Sequence, residues 1–160
     1  MRYVLDTTVV VLVCRRVEEA SASEEALARK AHAWMRSLPP TTTVVLPTPA
    51  IGEYLYGLAD SSRADDALET ITRRFEIGPF DLLAARWYAE VARGIVGNSS
   101  ERPQDWRRHK VDMQIISIAA AIQSDELITE DADQRNWARK WIKATGIPDP
   151  PPQTLSLPGV

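Results

Sequence analysis

Cysteine is all but missing from this chain: Cys14 stands alone, so no disulfide forms within it. Preceded by the apolar residues 9–13, that thiol reads as a small buried hydrophobe. Histidine is scarce too, and His32 and His109 lie too far apart in sequence to suggest a histidine-based ribonuclease. Long hydrophobic runs are absent. The stretch from Val9 to Cys14 is too short to span a bilayer or to form a signal core, so no membrane association and a cytoplasmic location are expected. No G-x-G-x-x-G follows the first apolar segment, which disfavours a dinucleotide-dependent oxidoreductase. Charge of one sign is also lacking: the formal net charge is -3, so any nucleic-acid contact must come from a local basic patch.

What is present belongs to a folded globular protein. Hydrophobic residues make up 44% and charged residues 26%, a balance that excludes a wholly disordered chain. A length of 160 residues suits one domain, with a single core flanked by helices on both sides.

Short apolar strands alternate with helical patterns. Residues 3–5 read as a buried strand, with Asp6 at its carboxyl end and Thr7 and Thr8 available to cap the next helix. Residues 23–38 carry Leu27, Ala31, Trp34 and Leu38 at helical spacing, with Ser21 or Ser23 as a cap and Pro39-Pro40 as the stop. Residues 43–46 form the next strand. Thr48 then caps a helix with Pro49 in its first turn and Glu53 in its second. In that helix Ile51, Leu55 and Leu58 face the core, and Gly57 leaves room beside Glu53.

Residues 64–74 predict another helix and residues 75–77 a strand ended by Gly78-Pro79. Asp81 caps the following helix, whose Ala84, Trp87, Val91 and Ile95 form a packing stripe. Gly94, Gly97, Asn98, Ser99 and Ser100 mark its end. Residues 111–124 are the most strongly helical, with Asp112 in the first turn and Ile115, Ile118, Ala119 and Ile122 on one face. Residues 126–129 form a strand that ends in Glu130, Asp131 and Asp133, before a helix with Trp137 and Trp141 on one side. From residue 147 the chain holds five prolines and reads as an extended tail, with an edge strand at residues 155–157. The alternation predicts a mostly parallel sheet covered on both faces, because each crossover needs a helix to return the chain.

Asp6, Glu53, Asp112 and Asp131 therefore fall where a strand stops or a helix begins. Each alone has an ordinary reading, as a helix cap or as a solvated acid. Together they suggest a metal site, because carboxylates gathered at one sheet edge repel one another unless a cation neutralises them. Oxygen ligands with few histidines favour Mg²⁺ or Mn²⁺ over zinc. An aspartyl-nucleophile phosphatase is less favoured, since Thr8 stands where that chemistry commonly needs a second acid. Just before Asp112, the residues Arg102, Trp106, Arg107, Arg108, His109 and Lys110 form a basic run that could hold phosphates and stack a single-stranded base. Glu101 and Asp105 dilute that charge, and a solvated cluster with a packed tryptophan fits as well. Arg15 and Arg16 form a smaller candidate patch.

Val4-Leu5-Asp6-Thr7-Thr8, Glu53 through Gly57, Asp112 with Ile115 and Ile118-Ala119-Ala120, and Leu127-Ile128-Thr129-Glu130-Asp131 resemble the motifs of PIN domains, most closely those of VapC-type toxins. The resemblance spans about residues 2–137. It implies a three-layer α/β/α PIN-like domain over residues 1–146, followed by the proline-rich tail 147–160. It implies a Mg²⁺- or Mn²⁺-dependent endoribonuclease, a hydrolase leaving a 5′-phosphate and a 3′-hydroxyl, with Asp6, Glu53, Asp112 and Asp131 as catalytic metal ligands. Thr8 and Thr129 take supporting hydroxyl positions. Many relatives have asparagine in place of Thr8, and an aromatic residue where this chain runs Gln134-Arg135-Asn136 before Trp137. The last ligand is accordingly either Asp131 or Asp133. The resemblance also implies an RNA substrate, a small antitoxin partner and a homodimer.

Two other readings compete with the toxin. A stand-alone PIN-like RNA-processing nuclease would lack a neighbouring small open reading frame for a DNA-binding protein. A non-catalytic binding module would show no Mn²⁺ binding, or binding that ignores Asp6→Asn with Asp112→Asn.

Overall fold

The computed structural model describes residues 1–58, 60–97 and 109–151. Their strands are β1 (Arg2–Leu5), β2 (Thr43–Pro47), β3 (Glu76–Gly78), β4 (Glu126–Ile128) and β5 (Ala144–Thr145). Their helices are α1 (Thr7–Cys14), α2 (Glu25–Ser37), α3 (Thr48–Tyr56), α4 (Ser61–Arg74), α5 (Leu82–Val96), α6 (Lys110–Ala121) and α7 (Ala132–Ala138). A 3₁₀ turn, Val17–Glu19, links α1 to α2.

All pairings are parallel, and the strand order is β3-β2-β1-β4-β5. The register sets Tyr3 against Val44 on one side and against Glu126 on the other. Strand order runs one way from β1 through β2 to β3, then jumps back across the sheet to β4 and β5. Right-handed crossovers therefore send α1 to α4 to one face and α5 to α7 to the other, giving the three-layer α/β/α architecture. The reversal makes a switch point between β1 and β4, and in open α/β sheets ligands bind beyond the carboxyl ends of the strands at such a point.

The central strands are apolar because both faces are covered. Val4, Leu5, Val45, Leu46, Leu127 and Ile128 are all fully buried. Helix α6 is buried over more than the one face its sequence pattern suggests: Met113, Ile115, Ile116, Ser117, Ile118, Ala119 and Ala120 are all inside. It packs on α5, α3 and β4, so little of its circumference meets solvent. In the α5 stripe Ala84 and Val91 are buried, while Trp87 and Ile95 are half-buried. Gly97 closes α5 at φ 74°, a left-handed backbone that favours glycine.

Several local expectations are corrected. Asp6 itself caps α1, and Thr7 and Thr8 lie inside the helix, because the carboxylate already occupies the Val9 N–H. Thr48 is the first residue of α3, not its cap, and its hydroxyl accepts from the Phe80 N–H. Glu24 occupies the N-cap position of α2 without capping through its side chain, and instead takes hydrogen bonds from the Ser21 main-chain N–H and hydroxyl. Helix α7 ends at Ala138, so Trp141 lies beyond it and packs against Gly94. Strand β5 has no signal in the sequence, because it is two residues long and carries no alternation to detect. Ile147, at the start of the proline-rich segment, is buried in the core, and its N–H donates to Glu130 Oε1. The expected edge strand at residues 155–157 lies outside the described residues, as do Asn98, Ser99 and Ser100.

Candidate functional site

Asp6 follows β1 directly, and its main-chain N–H donates to the Ile128 carbonyl of β4. The carboxyl is thereby held at the switch point, buried to 4% exposure. Its Oδ1 accepts from the Val9 N–H at 2.7 Å and its Oδ2 from the Thr129 hydroxyl at 2.6 Å. Burial pushes its pKa up to about 6. The bonds from Thr129 and Val9 oppose that rise, while the charges of Asp112 and Asp131 add to it.

Asp112 enters from the first turn of α6, half-buried. Burial raises its pKa and so do Asp131 and Glu53, whereas a hydrogen bond and charge from His109 lower it. Asp131 caps α7, taking the N–H groups of Asp133 and Gln134 on Oδ1. Glu53 projects from the second turn of α3, and the Thr7 hydroxyl donates to its Oε2 at 2.6 Å. The four acids from four segments thus share one electrostatic neighbourhood, with Asp6 coupled to Asp112 and Asp131, and Asp112 coupled to Glu53.

Thr129 is wholly buried and does two things. Besides binding Asp6, its oxygen accepts the Asp131 N–H at 3.1 Å. Thr8 is exposed on α1. Asp133 is exposed, and its main-chain N–H points to Asp131. Gly57 sits at the end of α3, where an added Cβ would meet nothing tighter than helix carbonyl oxygen at 3.4 Å, so space beside Glu53 does not depend on it.

Three contributors have no signature in the sequence that assigns their roles. Thr7, not Thr8, touches Glu53. His109, grouped by sequence with the basic run, instead sets Nδ1 3.5 Å from Asp112 Oδ2 and its ring edge-on to Trp137, at 4.5 Å between centroids. Gln134 is wholly buried and its Nε2 donates to Asp112 Oδ1 at 3.4 Å. For Gln134 only the spacing hints at burial, since Gln134 and Ala138 lie one turn apart on the buried face of α7. Arg102, Trp106, Arg107 and Arg108 lie outside the described residues. Lys110 opens α6 and lines a cavity of about 600 Å³ with Phe80, Tyr88, Arg93 and Gln114. Cys14 is half-buried at the end of α1, its thiol pushed up to about 11 by burial, which keeps it protonated and unreactive.

Among the described residues, no three acidic, histidine or cysteine side chains stand close enough together to hold an ion as they are. The donor chemistry nonetheless fits one. The donors are oxygens only, they carry excess negative charge, and a buried acid among them is destabilised when ionised. No described helix is long and apolar enough to cross a membrane.

Fold and site together define a parallel α/β protein with carboxylates gathered over the β1/β4 switch point. The PIN domain family model matches residues 3–140, and the chain belongs to that family. Its fold is similar to a chain of the VapBC2 complex of Rickettsia felis bound to a DNA fragment from its promoter, at 16% identity and a TM-score of 0.66, covering 91% of this chain and 98% of that one. It is similar to VapBC-1 of nontypeable Haemophilus influenzae, at 15% identity and a TM-score of 0.62, with coverage of 91% and 98%. Mycobacterium tuberculosis VapC20, a toxin that cleaves the sarcin-ricin loop, aligns at 14% identity and a TM-score of 0.57, over 82% of this chain and 92% of that one. Comparison with curated proteins returns no match.

Proposed function

We propose that this PIN domain is a divalent-metal-dependent endoribonuclease, the toxin of a type II toxin–antitoxin pair, acting on RNA in the cytoplasm. One observation carries the reading: Asp6 is buried at the switch point, bonded to Thr129, with its ionisation opposed by Asp112 and Asp131. Buried carboxylates whose ionisation is opposed by neighbouring acids are the environment a cation stabilises. Asp6, Glu53, Asp112 and Asp131 would hold Mg²⁺ or Mn²⁺, with Asp133 the alternative in the last place. When bound, such an ion supplies Lewis-acid activation of water for in-line attack on a phosphodiester and neutralises charge on the phosphate oxygens.

The chain's own groups orient those ligands. Thr129 fixes the Asp6 carboxylate, Thr7 fixes Glu53, and His109 flanks Asp112. No covalent nucleophile is needed, and the products carry a 5′-phosphate and a 3′-hydroxyl. The basic run of Arg102, Trp106, Arg107, Arg108 and Lys110 supplies RNA contacts ahead of Asp112. The likeness to VapBC assemblies supports a small antitoxin that covers the gathered carboxylates, and a homodimer is the expected assembly.

Cleavage of defined RNAs with Mg²⁺ or Mn²⁺, comparing wild type with Asp6→Asn, tests the reading. Metal-dependent cutting that the variant loses is expected. Unchanged cutting by the variant refutes the role of Asp6.

A further inference from the structure

Gln134 is wholly buried, yet its Oε1 has no hydrogen-bond partner among the described residues. A buried amide carbonyl without a partner costs free energy and calls for an explanation. The amide lies between two of the acids: its Nε2 donates to Asp112 Oδ1 at 3.4 Å, and its main-chain N–H donates to Asp131 Oδ1 at 2.9 Å. One residue therefore grips two of the four acids, joining α6 to α7. Exchanging the amide nitrogen and oxygen gives no relief, because acceptor would then face acceptor at Asp112 and a buried NH₂ would be orphaned. The orphan oxygen sits on the same amide whose nitrogen contacts Asp112, one side chain away from the carboxylates.

We propose that Gln134 is a neutral oxygen donor of the metal site: Oε1 turns to the cation while Nε2 holds Asp112 in place. The assignment rests on the nuclease reading above. Its consequence is a weaker site than an acid at this position would make. An amide adds a ligand without adding charge, and cation affinity follows the number of charged ligands.

The test is Mn²⁺ affinity, measured by calorimetry on wild type, Gln134→Met and Gln134→Glu, with Asp6→Asn as the site control. Gln134→Met preserves length and apolar packing and removes the donor, and it should weaken Mn²⁺ about tenfold or more. Gln134→Glu keeps an oxygen there but replaces the NH₂ that holds Asp112 with a second acceptor, and it should change Mn²⁺ affinity by about tenfold or more. Protein carrying ¹³C at the glutamine side-chain carbonyl should also show a ¹³C coupling to bound Mn²⁺ that Gln134→Met loses, a signature that a residue merely filling space does not give. Wild-type affinity retained in Gln134→Met, or no such coupling, overturns the donor role and leaves the nuclease reading standing. Should Gln134→Met fail to fold, unchanged affinity in Gln134→Glu together with absence of the coupling overturns it equally. Failure of wild type itself to bind Mn²⁺ overturns both.

Discussion

The Thr129 hydroxyl donates to Asp6 Oδ2 at 2.6 Å, joining residues 123 apart in sequence at the carboxyl ends of the neighbouring strands β1 and β4. Both partners are buried, so the bond is shielded from water, it is charge-assisted when Asp6 is ionised, and the same threonine oxygen orients Asp131.

Replacing Thr129 with valine removes the hydroxyl from both partners. Asp6 should then titrate above about 6, since the Thr129 bond is the largest influence holding it down. Folding stability at neutral pH should fall by about 1–3 kcal/mol, and Thr129→Ser should restore most of it. Urea denaturation and an NMR titration of Asp6 check these outcomes.

The metal-free protein should be less stable at pH 7.5 than at pH 4.5. The Asp6 pKa rises from 3.8 in the unfolded chain to about 6 in the fold, so its stabilising contribution is fully present below about 3.8 and is lost as pH rises through about 6. Asp112 shifts the same way. Asp6→Asn keeps an acceptor for the Val9 N–H, and it should raise stability in EDTA at pH 7.5 by on the order of 2–3 kcal/mol while removing metal binding. Saturating Mn²⁺ should reverse the pH trend in wild type by mass action. Thermal melts across that pH range, with EDTA and with Mn²⁺, provide the check.

Gly78 ends the edge strand β3, close against β2 and α6. A Cβ there would stand 2.9 Å from both Ile118 Cγ2 and Val45 Cγ1, side chains that are themselves fully buried. Gly78→Ala should cost about 1–3 kcal/mol through overpacking, read as a lower denaturation midpoint with an unchanged slope.

Alanine at Arg107 and Arg108 should weaken RNA binding without altering Mn²⁺ affinity. The slope of log affinity against log salt should become shallower by about one for each phosphate that the missing guanidinium no longer neutralises. Binding isotherms at several salt concentrations decide it, and an unaltered slope rejects the basic run as an RNA-binding element.

The positions of several acids of the candidate site are legible in the sequence because strand-end acids carry a local signature. Asp6 follows residues 3–5, and Asp131 comes two positions after residues 126–129, short segments whose alternation with helical patterns reads as buried parallel strands. Asp81 is readable as a cap for a similar reason: the Asx side chain bonds an N–H three residues on. Partners chosen across the fold leave no such trace. Nothing near Thr7 in sequence names Glu53, and nothing near His109 distinguishes an RNA-binding role from its place beside Asp112.

The sequence by itself determined the alternation of four strands with helices, a mostly parallel sheet and which acids stand at strand ends and helix starts, because periodicity and caps are settled within a few residues of chain. Only the tertiary structure decided which hydroxyl meets which carboxylate, that Asp6 is driven toward protonation, and that Gln134 reaches Asp112. Those depend on burial and on distances between residues remote in sequence, where desolvation and charge coupling arise only once the strands have docked.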